Sequence, residues 1–271
     1  MAGRFAVAAP SGAVLSTLVR GLTAAREATL ELILPRYCAV CECAVERGST
    51  SPVCGRCWAR VDTLRWPQCD RCGHPLVVRD VPAPASPGPR RCRWCDLLPP
   101  HVRAVRSVCW VPEGTGGGIV HALKYHGWSA VAEGMAQRMA QLAWPRDVVE
   151  ERAALVPVPL AASRERERGF NQSARIADAL ARQWTVPVWH AALERTRATE
   201  TQTRLTPVDR LRNVAGAFRA VPGAPHALRG AHVVLVDDVV TTAATLTACA
   251  SALIAGGARI VSCITFGRAR S

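Results

Sequence analysis

Over the C-terminal two thirds of the chain, short apolar runs alternate with stretches of helical spacing. Leu155 to Pro159 reads as a short buried strand ending in a stiff turn, and His232 to Val236 as a buried strand that runs into two acids. Ile119–Tyr125, Ser129–Trp144, Ser173–Gln183 and Thr245–Ala255 carry their apolar positions three and four apart and read as helices. Ile176, Ala177 and Leu180 face inward in the third of these, and Leu246, Cys249, Leu253 and Ile254 in the fourth. Gly114–Gly118 reads as a flexible turn. Gly256 and Gly257 cap the last helix, and Arg259–Phe266 follows as a strand. Strands alternating with helices predict an α/β fold with a mainly parallel sheet.

The N-terminal third has a different texture. Residues 13–33 read as an amphipathic helix, with Val14, Leu15, Leu18, Val19 and Leu22 on one face that packs on the protein. Residues 80–89 (Asp-Val-Pro-Ala-Pro-Ala-Ser-Pro-Gly-Pro) carry no helix or strand pattern and read as an extended loop. The expected division is an N-terminal extension over 1–34, a cysteine-rich region over 35–108 and an α/β domain over 109–271.

Composition narrows the class. Of 271 residues, 49% are apolar, enough for a packed core and against global disorder. The formal charge is +13, and Lys124 is the only lysine. An arginine excess fits contact with phosphate or nucleic acid, or a genome-wide bias toward arginine codons. No apolar run reaches the roughly 18–20 residues of a membrane span. With no convincing secretion signal, a cytoplasmic protein is expected.

Eight of the 12 cysteines form four Cys-x-x-Cys pairs: Cys38/Cys41, Cys54/Cys57, Cys69/Cys72 and Cys92/Cys95. A tetrahedral zinc ion takes four thiolates from two such knuckles, and these spacings suit two structural Zn²⁺ sites paired in sequence order. A cross-braced pairing is the alternative. Disulfides and thiol redox chemistry are the competing readings of the cysteines, the first weakened by the lack of a secretion signal and the second by the number of pairs. Cys43 reads as a spare and His74 as a surface residue. Two tetrathiolate zinc sites of net charge −2 each would lower the formal charge to about +9.

The most specific chemistry sits in residues 232–246. An apolar strand ends in Asp237-Asp238, then Thr241 and Thr242 precede a helix. Carboxylates there suit ribose hydroxyls and Mg²⁺, while threonine hydroxyls and a helix N-terminus suit phosphate. No Gly-x4-Gly-Lys-Ser/Thr occurs, which excludes a P-loop nucleotidase.

Val236–Thr245 (Val-Asp-Asp-Val-Val-Thr-Thr-Ala-Ala-Thr) resembles the phosphoribosyl pyrophosphate (PRPP) signature of type I phosphoribosyltransferases. Val156-Pro157-Val158-Pro159-Leu160, Arg168-Gly169-Phe170-Asn171-Gln172, and Arg195-Thr196-Arg197-Ala198-Thr199 with Gln202, Arg210 and Asn213 narrow the likeness. With the cysteine knuckles, residues 35 to 270 are similar to the ComF/GntX family, which joins zinc ribbons to a phosphoribosyltransferase-like domain. The resemblance implies a type I phosphoribosyltransferase-like, mainly parallel sheet with helices on both faces.

It also implies roles. Asp237 and Asp238 would hold the ribose and act in catalysis, with Val239 beside them. Thr241, Thr242, Ala243, Ala244 and Thr245 would wrap the 5′-phosphate, and Pro159 and Leu160 would lie near the pyrophosphate. Residues 195–213 would form a flap in which Arg195, Arg197, Gln202 and Arg210 reach phosphate, alongside Arg168. Lys124, in a Lys-x-x-Gly element, would reach phosphate or serve as an ordinary surface residue. Ala243 stands where the family pattern has glycine.

The expected activity is Mg²⁺-dependent phosphoribosyl transfer from PRPP, a glycosyltransferase reaction, to an acceptor the chain does not identify. The alternative is a non-catalytic accessory protein of DNA uptake, competence or DNA processing that binds single-stranded DNA or a partner helicase.

Overall fold

The computed structural model describes residues 36–46, 48–76, 91, 92, 95, 98–125, 129–197, 214–221, 223 and 228–270. The expected helix at 13–33 and the loop at 80–89 lie outside them.

Strands β1 (Val102–Val111), β2 (Arg152–Pro157), β5 (His232–Val240) and β6 (Ile260–Ala269) form a parallel sheet in the order β1-β6-β5-β2. The alternation of side chains explains the apolar runs. In β5, Val234 and Val236 enter the core on one face, and Val233 and Leu235 enter the core on the other. The first face is covered by α2 (Gly114–Tyr125), α3 (Val131–Ala140) and α6 (Gln172–Trp184). The second is covered by α7 (Ala244–Ala255) and by the antiparallel pair β3 (Leu193–Arg195) and β4 (Phe218–Ala220). Short helices α4 (Arg146–Glu151) and α5 (Ala162–Arg168) precede and follow β2.

Two sequence expectations change. Gly114–Gly118 is the first turn and more of α2, not a flexible turn. Its glycines serve close packing: a Cβ on Gly117 would lie 1.6 Å from the Pro112 carbonyl oxygen. Strand β1 is not anticipated, because Arg103 and Arg106 interrupt its apolar pattern. It runs across the expected 108/109 boundary, so the sheet takes residues from 102 onward.

The cysteine-rich region is built onto this sheet. The Leu64 amide donates to the Val108 carbonyl (3.0 Å), and the Trp110 amide to the Asp62 carbonyl (3.0 Å), covering the outer edge of β1. Trp58, which follows Cys57 in α1 (Gly55–Ala59), meets Phe266 of β6 edge to face at 6.2 Å. It lies so close to α3 that a Cβ on Gly134 would be 2.4 Å from its ring. First-ribbon residues Cys38, Val53, Cys54, Cys57 and Val61 therefore share one core with the sheet.

Candidate functional site

The C-terminal end of β5 delivers Asp237 and Asp238 to a cavity of about 160 Å³. Lys124, Asp237, Asp238, Val239, Val240, Thr241, Ala243, Ala244, Thr245 and Leu246 line it. This is the carboxyl end of a parallel sheet, where open α/β folds bind ligands. The two acids are held differently. Asp238 is buried, and its Oδ2 lies 2.7 Å from Lys124 Nζ at the end of α2. Asp237 Oδ1 accepts from Ser173 Oγ (2.7 Å) and from the Asp238 amide (2.9 Å).

Ser173 owes its position to a capped helix start. Asn171 accepts from the Ser173 amide at 2.9 Å, and its side-chain amide donates to the Val158 carbonyl at 3.0 Å. The N-terminus of α6 is thereby pinned between β2 and Asp237. Reading single residues missed Ser173. The Gly169-Phe170-Asn171 helix-start pattern marks its place, but only the packing of α6 on β5 shows the contact.

The electrostatics follow from this packing. Burial, and then the charge of Asp238, pushes the Asp237 carboxyl up to about 7, against the Ser173 hydrogen bond and Lys124. Burial pulls Lys124 down, but Asp238 and then Asp237 outweigh it, so the ammonium stays above its ordinary range. Such a site holds a surplus of negative charge that a cation or hydroxyl donors would relieve.

The turn between β5 and α7 is strained. Ala243, the residue before α7, adopts φ 58° and ψ 2°, in the left-handed region that favours glycine. Beyond it, the first turn of α7 has backbone N–H groups without intrahelical carbonyl partners, and Ala244, Thr245 and Leu246 of that turn line the cavity. Thr241 and Thr245 line the cavity, while Thr242 turns its hydroxyl into a buried position.

The remaining expected site residues fall around this centre. Pro159 and Leu160 form the half-buried turn after β2 and do not line the cavity. Arg168 ends α5 with its guanidinium 5.2 Å from the Tyr125 ring, next to Lys124. Arg195 in β3 stacks on Phe218 at 5.3 Å; burial lowers its pKa against the pull of groups that include Asp237. The Arg197 guanidinium donates to the Ala215 carbonyl at 2.8 Å. Gln202, Arg210, Thr199 and Asn213 lie outside the described residues.

The eight paired cysteines form two tetrads in sequence order, Cys38/Cys41/Cys54/Cys57 and Cys69/Cys72/Cys92/Cys95, with the sulfurs of each within 4.8 Å of one another. This arrangement removes the cross-braced alternative. A Zn–S bond of about 2.3 Å puts tetrahedral sulfurs about 3.8 Å apart. Cys38–Cys57 and Cys41–Cys54 stand at 3.8 and 3.7 Å, which fits that ion. Four thiolates fill the coordination shell and make these structural zinc sites. Cys43 is exposed and outside the tetrad, and His74 is half-buried, edge-on to Trp110 at 5.8 Å. Cys109, Cys249 and Cys263 are core residues; burial drives the Cys109 and Cys263 thiols up to about 12.

A larger groove, about 1190 Å³, lies beside the second tetrad and the start of β1. Its Arg71 and Arg106 guanidiniums are engaged with backbone carbonyls, and Arg103 pairs with Asp147 at 2.6 Å. These three are committed to structural contacts. No helix among the described residues is long and apolar enough to cross a membrane.

Known proteins match this architecture. Residues 171–271 match the phosphoribosyl transferase domain model, and residues 29–96 match the double zinc ribbon domain model. The DNA utilization protein YhgH of Salmonella typhimurium is 32% identical over 236 residues, covering 85% of this chain and 96% of that protein. The protein of the same name from Escherichia coli K12 is 32% identical over 245 residues, with the same coverage. Competence protein F of Haemophilus influenzae is 34% identical over 111 residues, covering 41% of this chain and 45% of that protein.

Proposed function

The chain belongs to the ComF family, a phosphoribosyltransferase-type domain behind a double zinc ribbon, and from that premise we propose that it binds PRPP with Mg²⁺ at the cavity below Asp237 and Asp238. The observation that carries this reading is the pair of carboxylates at the end of β5, each held by a separate partner, Ser173 and Lys124, beside the turn into α7.

In this reading the carboxylates receive the ribose hydroxyls, and Thr241, Thr245 and the first-turn N–H groups receive the 5′-phosphate. Mg²⁺ would sit with the diphosphate near the carboxylates, hard oxygen ligands that suit it, and would supply charge neutralisation for the departing pyrophosphate. Lys124 starts paired to Asp238. With ribose and Mg²⁺ at the carboxylates, Lys124 would be available to a phosphate oxygen instead of Asp238. Transfer through an oxocarbenium-like sugar needs little proton chemistry, so the residues act by positioning and by charge. Val239, Ala243 and Ala244 line the wall, while Arg195 and Arg197 are the arginines offered to the phosphates.

In this first reading the chain is a cytoplasmic phosphoribosyltransferase, a glycosyltransferase that consumes PRPP. A second reading draws on the names of the relatives, which concern DNA utilization and competence. There the site senses PRPP, and the chain serves DNA uptake or processing by contact with single-stranded DNA or a helicase.

Calorimetric titration of PRPP with Mg²⁺ into the full chain tests the site. Asp238→Asn is expected to weaken binding at least about ten-fold, the scale of one lost charged hydrogen bond. Equal affinities refute the assignment. Pyrophosphate release across a panel of nucleobases and DNA separates the two readings: turnover supports transfer, and binding without release supports a sensor.

A further inference from the structure

The second tetrad is not simply a fold staple, because three arginines converge on its backbone. Arg71, within the first knuckle, donates to the carbonyls of Cys95 (2.8 Å), Leu98 (3.0 Å) and Pro99 (2.6 Å). Arg106, from β1, donates to the carbonyls of Asp70 (2.9 Å) and Arg71 (3.3 Å). Arg268, from β6, donates to the carbonyl of Cys72 itself. Among the described residues, no ion pair joins any of the three to a carboxylate.

Guanidiniums gathered in such a place need a counter-charge. Four thiolates around a zinc ion carry a net −2 and supply it. The four sulfurs are gathered into one cluster, with Cys69–Cys95, Cys72–Cys92 and Cys92–Cys95 at 3.1, 3.4 and 3.8 Å; a bound ion would spread the first two toward the spacing of about 3.8 Å of a tetrahedral site. Apart from the sulfurs, the groups that meet these guanidiniums are backbone carbonyls, with Asp70 beside Arg106.

Arg268 also sits at a junction. In the sheet it pairs with Val240 of β5, and Thr265 of the same strand pairs with Asp237. Val240 and Asp237 both line the acidic cavity. One side chain and one rung of the ladder therefore separate a zinc ligand from the turn that receives phosphate.

We propose that Arg268 links the second zinc centre to the phosphoribosyl site, so that zinc at Cys69/Cys72/Cys92/Cys95 tightens ligand binding and bound ligand slows zinc loss. Reciprocity by thermodynamic necessity applies to the two affinities, so bound ligand must also tighten zinc, and slower zinc release is the expected sign of that tightening. The proposal rests on the reading of the cavity as a PRPP site, but its first test does not need a ligand. Arg268 is a positioning residue here: its guanidinium holds the Cys72 carbonyl against the end of β6, and the ladder passes that position to β5.

The experiment is zinc release from the full, zinc-loaded chain into a chromophoric chelator, followed with and without PRPP and Mg²⁺. Two phases are expected, one per tetrad. Without ligand, Arg268→Gln speeds one phase about five-fold or more and leaves the other alone. In the wild type, PRPP with Mg²⁺ slows that same phase by a similar factor, and in Arg268→Gln it does not. Arg270→Gln, which removes an exposed pair with Asp62, leaves both phases and their ligand response unchanged.

Arg268→Lys keeps the charge without the fork. It gives an intermediate release rate and stands in if the glutamine variant does not fold. Unchanged release in the Arg268 variants overturns the clamp. PRPP binding seen by calorimetry with no effect on wild-type release overturns the linkage and leaves the binding site standing. If PRPP does not bind at all, both the site reading and the linkage fall.

Discussion

Ala243 offers the sharpest test of the local geometry. An L-residue with φ 58° in the left-handed region costs about 1–2 kcal/mol relative to glycine there. Ala243→Gly removes that strain and gives back about 0.4–1 kcal/mol through the larger entropy of the unfolded chain. The net expectation is a gain of about 0.5–1 kcal/mol. At a urea slope of about 2 kcal/mol/M, the midpoint rises by about 0.3–0.5 M. The same substitution removes a methyl group from the cavity wall, so phosphate oxygens approach the backbone of the turn more closely and PRPP affinity rises several-fold. Ala243→Val sets the opposite limit, because a β-branched residue is an outlier at positive φ; it loses stability and affinity together. Urea unfolding and calorimetry on the three proteins decide the matter. If Ala243→Gly lowers stability by 0.5 kcal/mol or more, on the order of the entropy term alone, the left-handed strain is absent and the reasoning fails.

Further expectations follow from the paired acids. The Asp237 carboxyl titrates near 7 in the folded chain against an ordinary value of 3.8, so folding favours its protonated form. Its stabilising contribution is fully present below about pH 4 and is lost as pH rises through 7. Asp237→Asn should therefore gain stability relative to wild type as pH rises across that window while losing PRPP binding; a constant difference in urea midpoint from pH 4 to 8 contradicts the burial argument. Lys124→Met leaves the buried Asp238 without its cation and should cost about 3 kcal/mol, the low end for breaking a buried pair because Lys124 keeps 23% exposure. Adding Asp238→Asn should recover most of that loss, and a double-mutant cycle with coupling near zero would show that the 2.7 Å contact carries no energy.

Residue order alone determined much of this protein. The two zinc centres were legible because each ligand pair is local: a knuckle is written in four consecutive residues, and the tetrads in the structure join neighbouring pairs. The strand at 232–236, its acids and the following helix were legible for the same reason, since strand, turn and helix start are contiguous. Resemblance to the ComF family set their meaning. Tertiary structure decided what depends on distant residues meeting. Lys124 was readable by resemblance as a phosphate candidate or a surface residue, but its pairing with Asp238, more than a hundred positions away, appears only once α2 is packed. Ser173 becomes a partner of Asp237 only because α6 packs over β5, and β1 is a strand through its pairing with the distant β6, with its Arg106 donating to backbone carbonyls of the cysteine-rich region. Ala243 shows the division most plainly: the letter was readable as a departure from glycine, but its cost depended on a dihedral that only the folded turn defines. Local chemistry is encoded in adjacent residues, whereas charge compensation and strain arise from the packing of elements far apart in the chain.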